Sequence, residues 1–217
     1  YPFVYNPPKA NVGVAEAGVK DDNATGFYSR TFTLPKAWKD KRVFLHFDGL
    51  YSAGVVWVNG RYVGYTQSAN TDAEFDLSGV LHEGENQLSV RVYRWCDGSY
   101  IEGQDMWHMS GIHRDVYLYA TPMVAVRDHY VLTGGLLSED ATSGAMLLNL
   151  TVDNRDGRKA KKTIDAVLRD AQGREVQRRQ VVYNATSTTT SQLRFELSGL
   201  HPWTAETPYL YTIEVSH

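Results

Sequence analysis

Apolar and polar side chains alternate with a period of two along most of this chain. Val43, Leu45 and Phe47 fall between Phe44, His46 and Asp48, as they do in a strand with one buried face. The period returns at Leu88, Val90 and Val92, at Met146, Leu148, Leu150 and Val152, at Ile164, Ala166 and Leu168, and at Leu193, Phe195 and Leu197. No stretch carries the spacing of a long amphipathic helix. Asn59-Gly60 stands between Val55-Val56-Trp57-Val58 and Arg61-Tyr62-Val63, and this dipeptide readily takes positive φ, which predicts a two-residue hairpin there. Asp48-Gly49, Asp97-Gly98, Asp156-Gly157 and Gln172-Gly173 separate the other short runs. Such regular punctuation predicts an all-β chain of sandwiches or barrels, not a helix-covered parallel sheet.

At 217 residues the chain is too long for one small sandwich. Four of its five Trp (Trp38, Trp57, Trp95, Trp107) precede Thr121-Pro122 and only Trp203 follows. A boundary near Pro122 is expected, giving domains over 1–121 and 122–217, the second with about 95 residues, the size of an immunoglobulin-like sandwich.

A net charge of -3, without a long basic run, argues against nucleic acid as a partner. The single cysteine, Cys96, has no intrachain disulfide to form, so nothing in the chain relies on an oxidising compartment. No apolar stretch reaches the roughly 18 to 20 residues that span a bilayer, and Tyr1-Pro2-Phe3 opens no signal-peptide pattern. The expectation is a soluble protein of the cytoplasm or periplasm with no membrane partner.

Residues 94–116 carry the most unusual composition. They read Arg-Trp-Cys-Asp-Gly-Ser-Tyr-Ile-Glu-Gly-Gln-Asp-Met-Trp-His-Met-Ser-Gly-Ile-His-Arg-Asp-Val, between one strand ending near Trp95 and another starting near Arg114. A loop this long is functional or disordered, and this one is too rich in aromatic and aliphatic side chains for disorder. Its makeup suits a sugar: Trp and Tyr faces cover the C–H face of a pyranose, while Asp, Glu and Gln bond to hydroxyls.

This loop resembles the N-terminal sugar-binding domain of glycoside hydrolase family 2, and within that family the β-galactosidases. Gly26-Phe27-Tyr28-Ser29-Arg30-Thr31-Phe32, Phe47-Asp48-Gly49-Leu50-Tyr51-Ser52-Ala53, Trp57-Val58-Asn59-Gly60-Arg61-Tyr62-Val63-Gly64-Tyr65, Glu74-Phe75-Asp76-Leu77-Ser78 and Gly84-Glu85-Asn86 are similar to segments of that domain, in the same order. Pro202-Trp203-Thr204-Ala205-Glu206-Thr207-Pro208-Tyr209-Leu210-Tyr211 resembles the close of the family's immunoglobulin-like domain. The resemblance implies a jelly-roll, galactose-binding-like β-sandwich followed by an immunoglobulin-like one. It implies retaining hydrolysis of β-galactosides by two glutamates on a (β/α)8 barrel beyond this chain, so that no residue here is catalytic. It further implies sodium and magnesium in the full enzyme, neither fully bound by this part, and a homo-oligomer at full length.

Asp105 matches the family position whose carboxylate touches galactosyl hydroxyls and a monovalent cation, so it is the candidate for both substrate and metal. Its plainer role is to tie the loop to backbone amides. Trp107, Glu102 and Tyr100 are candidates for the wall of the sugar site or for ordering the loop. Asp97 and Glu102 are poor candidates for a glycosidase pair, since Asp97-Gly98 is a common turn dipeptide. His108 and His113 lack a third zinc ligand. Trp57 and Trp95, lying in strands, are expected in the core. Asn23-Ala24-Thr25, Asn149-Leu150-Thr151 and Asn184-Ala185-Thr186 fit a glycosylation pattern that recurs by chance. Three alternatives stay open: a free-standing carbohydrate-binding module, a purely structural or interaction pair of sandwiches, and the equivalent part of a β-glucuronidase or β-mannosidase. Asp97-Gly98-Ser99-Tyr100 and Gln104-Asp105-Met106-Trp107 favour the galactosidase.

Overall fold

The computed structural model describes residues 23–100, 109–133 and 137–217, without the side chain of Tyr100. They form an all-β chain of two compact units that divide between Thr121 and Pro122. Among the described residues, no helix is long and apolar enough to cross a membrane.

The first unit holds β1 (Thr25–Thr33), β2 (Arg42–Phe47), β3 (Leu50–Tyr51), β4 (Ala53–Val58), β5 (Arg61–Thr66), β6 (Ala73–Asp76), β7 (Glu85–Tyr93), β8 (Gly111–Ile112) and β9 (Val116–Thr121). One antiparallel sheet runs β1-β7-β4-β5, a second β6-β2-β9, and β3 pairs with β8. The predicted hairpin joins β4 to β5, with φ of 52° at Asn59 and 74° at Gly60, as a turn matched to strand twist requires. Alternate residues of the strands meet in one core: Leu45 and Phe47 from β2, Val56 and Val58 from β4, Val90 and Val92 from β7, with Leu50 and Leu77. This is the jelly-roll sandwich.

β2 departs from simple alternation, because its outer face is covered as well. Phe44 is buried; Tyr119 stacks on it at 5.1 Å and the Arg42 guanidinium lies 4.7 Å from its ring centre. Arg42 in turn bonds Asp76 across the sheet at 2.7 Å. Burial pushes the Asp76 carboxyl up, but bonds from the Ser78 hydroxyl and amide and from Arg42 outweigh it and hold the carboxyl below its ordinary value. A carboxylate depressed in the folded state adds stability that is complete above its unfolded value and is lost as the pH falls through the folded one. Asp76→Asn is therefore expected to flatten the fall in stability below about pH 4, as read by urea melts across the acid range. An unchanged acid slope would mean that solvent screens the half-exposed Asp76 carboxylate to insignificance.

Trp57 is not a core residue. The period that buries Val56 and Val58 turns Trp57 to the outer face, where Arg91 of β7 lies 5.5 Å from its ring and 5.0 Å from that of Phe27. Trp95 also lies outside the buried clusters, past the end of β7, with the Arg94 guanidinium 5.1 Å from its ring.

The second unit comprises β10 (Val124–Leu132), β11 (Ser143–Asn154), β12 (Ala160–Arg169), β13 (Glu175–Ala185), β14 (Thr189–Ser198) and β15 (Thr212–Ser216). Sheets β10-β11-β14 and β13-β12-β15 enclose Leu148, Leu150, Ile164, Ala166, Leu168 and Phe195, all nearly inaccessible. This is an immunoglobulin-like sandwich, and its buried positions are those of the period-two runs.

Candidate functional site

Segment 94–116 leaves one sheet of the first unit and returns to the other. It departs from the end of β7, runs through a 3-10 turn at Asp97–Tyr100, and comes back as β8, which pairs Gly111 with Tyr51 and Ile112 with Leu50, before β9 joins β2. Asp105, Glu102 and Trp107 lie outside the described residues. Tyr100 closes the 3-10 turn, so its backbone is placed in the root of the loop.

Both ends of the segment are held by specific bonds. At the outgoing end Asn23 pairs with Trp95: its Nδ2 donates to the Trp95 carbonyl at 3.1 Å and its Oδ1 accepts from the Trp95 amide at 2.9 Å. The turn after it hangs on buried hydroxyls. Ser99 and Ser52 are hydrogen-bonded through their Oγ atoms at 2.8 Å, and the Cys96 amide donates to Ser99 Oγ at 3.1 Å. At the returning end the Arg114 guanidinium donates to the carbonyls of Asp48 at 3.2 Å and Asn70 at 2.7 Å, while the Asp48 amide donates to the Asp115 carbonyl at 3.0 Å.

Two glycines permit the close approach. Gly111 takes a φ of +100°, and a Cβ there would stand 2.9 Å from the Tyr28 hydroxyl oxygen; a Cβ at Gly26 would stand 3.0 Å from the same ring. Tyr28 thus lies across β1 and the returning strand. Between the two ends of the segment is a hollow of about 360 Å³ lined by Thr25, Tyr28, Arg94 and Ser110, whose hydroxyls and guanidinium suit a polar ligand. A larger hollow of about 760 Å³ is lined mainly by sandwich residues such as Phe27, Leu45, Val90 and Leu118, and offers sugar hydroxyls little. Near the outgoing end Tyr65 donates to Gln67 at 2.8 Å, and burial, followed by the nearby Cys96, Asp97 and Tyr93, pushes its hydroxyl above the ordinary value.

Among the described residues, no three His, Cys, Asp or Glu side chains come together in a way that could hold a metal. His113 packs its ring against Gly49, where a Cβ would stand 2.8 Å from Nε2. Asn23 commits its amide to Trp95, so its glycosylation pattern describes a residue already engaged.

Residues 2–122 match the family model described as the sugar binding domain of glycosyl hydrolases family 2, and residues 127–217 match a second model of glycosyl hydrolases family 2. The chain belongs to glycoside hydrolase family 2. Curated relatives within the family include a β-galactosidase of Priestia megaterium, 40% identical over 89% of this chain and 19% of its own length, and one of Psychromonas ingrahamii, 38% identical over 100% of this chain and 20% of its own. The chain spans about a fifth of the length of these relatives. Among solved structures, a β-glucuronidase of Bacteroides uniformis superposes with a TM-score of 0.79 at 24% identity, covering 89% of this chain and 24% of that one. That likeness concerns the fold.

The bonds that anchor segment 94–116 were missed from the sequence. Asn23 and Trp95 are 72 residues apart, and Ser52 and Ser99 are 47 apart. The signal lies in strand register: the antiparallel pair Thr25↔Tyr93, carried two residues outward, sets Asn23 opposite Trp95.

Proposed function

We propose that this chain forms one wall of the sugar site in a retaining β-galactosidase whose two catalytic carboxylates lie on a barrel outside these residues. The observation that carries the reading is its 38% identity with a curated β-galactosidase along the entire chain, at a fifth of that relative's length. In this arrangement the two sandwiches are a scaffold, and the first presents segment 94–116 to the sugar. Asp105 accepts bonds from sugar hydroxyls, Trp107 and Tyr100 offer ring faces to the pyranose, and Glu102 braces the wall. The wall binds and orients; it moves no proton and forms no bond to the sugar, because retention requires an acid/base and a nucleophile that both flank the scissile bond. Asp105, which the family resemblance makes a cation ligand, lies outside the described residues.

The test compares hydrolysis of chromogenic β-galactoside and β-glucuronide by the full-length protein and by this chain alone. The full-length protein is expected to favour the galactoside in kcat/KM by at least about 100-fold, since a site built for a hydroxymethyl group leaves a glucuronide carboxylate without a counter-charge. The isolated chain is expected to hydrolyse neither above the uncatalysed rate. A preference for the glucuronide would overturn the substrate, and turnover by the purified chain would overturn the placement of the catalytic pair.

A further inference from the structure

We infer that Asn23 is a positioning residue of the sugar site, fixing the root of segment 94–116 by pairing its side-chain amide with both backbone groups of Trp95. The inference rests on the reading of that segment as a sugar-binding wall. β1 and β7 pair as far as Thr25↔Tyr93, and the Arg94 amide still donates to the Ala24 carbonyl at 3.0 Å. At the next step the Asn23 side chain makes the bonds of a ladder pair, donating to the Trp95 carbonyl at 3.1 Å and accepting from its amide at 2.9 Å. Two bonds from one planar group oppose both sliding and twisting of the Trp95 peptides; a single bond leaves a rotation free.

Asparagine suits this task by its chemistry. Its amide carries an acceptor and a donor on one short stem, whereas Asp offers acceptors only, Ser a single oxygen, and Gln a longer and more mobile stem. The remaining anchors of the outgoing end differ from it in burial. Ser52 and Ser99 are buried beneath the turn, so their loss disturbs packing as well as the loop, while Asn23 is exposed and touches the root of the segment. Its removal should therefore displace the wall without opening the core. A displaced wall weakens bonds made alike in the bound substrate and the transition state, which raises KM more than it lowers kcat.

The experiment compares Asn23→Ala, Asn23→Asp and Asp105→Asn in the full-length protein, by galactoside kinetics and thermal unfolding. Asn23→Ala is expected to lower kcat/KM about tenfold, mostly through KM, with the melting temperature unchanged. Asn23→Asp, which keeps the acceptor for the Trp95 amide and loses the donor, should fall between the wild type and the alanine variant. A lowered melting temperature with unchanged KM would make Asn23 a structural staple and overturn the inference, and so would unchanged kinetics with unchanged stability. A loss of kcat/KM in Asp105→Asn alone would sink the role of Asn23 and spare the sugar-wall reading. Loss in neither would sink both, and loss in Asn23→Ala alone would keep the clamp and remove Asp105 from the wall.

Discussion

Phe47→Ala should destabilise the first unit of this chain by about 3 to 5 kcal/mol, one of the two largest effects expected of a single substitution here. Phe47 has no exposed surface and meets Phe75 edge-on, with ring centres 6.1 Å apart. Truncating it removes a ring from a core closed on both sides by sheets, and strands held by ladder bonds do not collapse into the space. For a domain of this size the loss corresponds to a fall in melting temperature of more than about 12 °C. Phe195→Ala should act as strongly on the second unit, where Phe195 is likewise fully buried. Among the described residues, none is common to the two buried clusters. Calorimetry of the 217-residue chain should therefore show two transitions, each lowered by one substitution and little moved by the other. A single transition shifted equally by both would mean that the units unfold as one.

Phe47 also joins the core to the site. It immediately precedes Asp48, whose carbonyl receives Arg114 and whose amide holds Asp115. Packing around Phe47 thus sets the position of the corner to which segment 94–116 returns. A core substitution remote from any sugar contact is expected to loosen the returning end first, because that end is held by two guanidinium bonds, the Asp48–Asp115 backbone bond and the short β3–β8 pair, and all but the bond to Asn70 start from the corner after Phe47.

What the sequence revealed of the fold follows from where its signals are local. The alternation at Met146–Val152 and Ile164–Leu168 belongs to strands whose buried side chains are their own apolar residues, so the period located both strand and face. Asn59-Gly60 determined a hairpin because both residues carry the positive φ that the turn needs. Trp57 differs from its expected place because size and apolarity argue for burial, while its position between Val56 and Val58 decides the face. β2 was only half legible, since the cover over Phe44 comes from Tyr119, a partner set by register with a strand 75 residues later in the chain. At the site, composition marked the segment and could not mark its anchors. Tyr28 against Gly26 and Gly111, Ser52 against Ser99, and Asn23 against Trp95 are pairs that exist only once sheet register is known.

Asp105→Asn in the full-length protein is expected to lower kcat/KM by about one to two orders of magnitude with little change in melting temperature. The substitution keeps the shape of the side chain and removes its charge. A carboxylate accepts bonds from sugar hydroxyls at both oxygens, and a bond to a charged group contributes roughly 1.5 to 3 kcal/mol, which converts to that range of rates. The amide keeps one acceptor and turns a donor toward a site arranged for an acceptor, so part of the loss is a mismatch and not merely an absence. Stability should hold because the described anchors of segment 94–116 are Asn23, Ser52, Ser99 and Arg114, none of which the substitution alters. The competing role, a carboxylate that ties the loop to backbone amides, makes the opposite pair of expectations. There the melting temperature would fall and the kcat/KM of the folded protein would stay near the wild-type value. Measuring both quantities on one preparation separates the two roles, and unchanged kcat/KM with a marked loss of stability would remove Asp105 from the sugar wall.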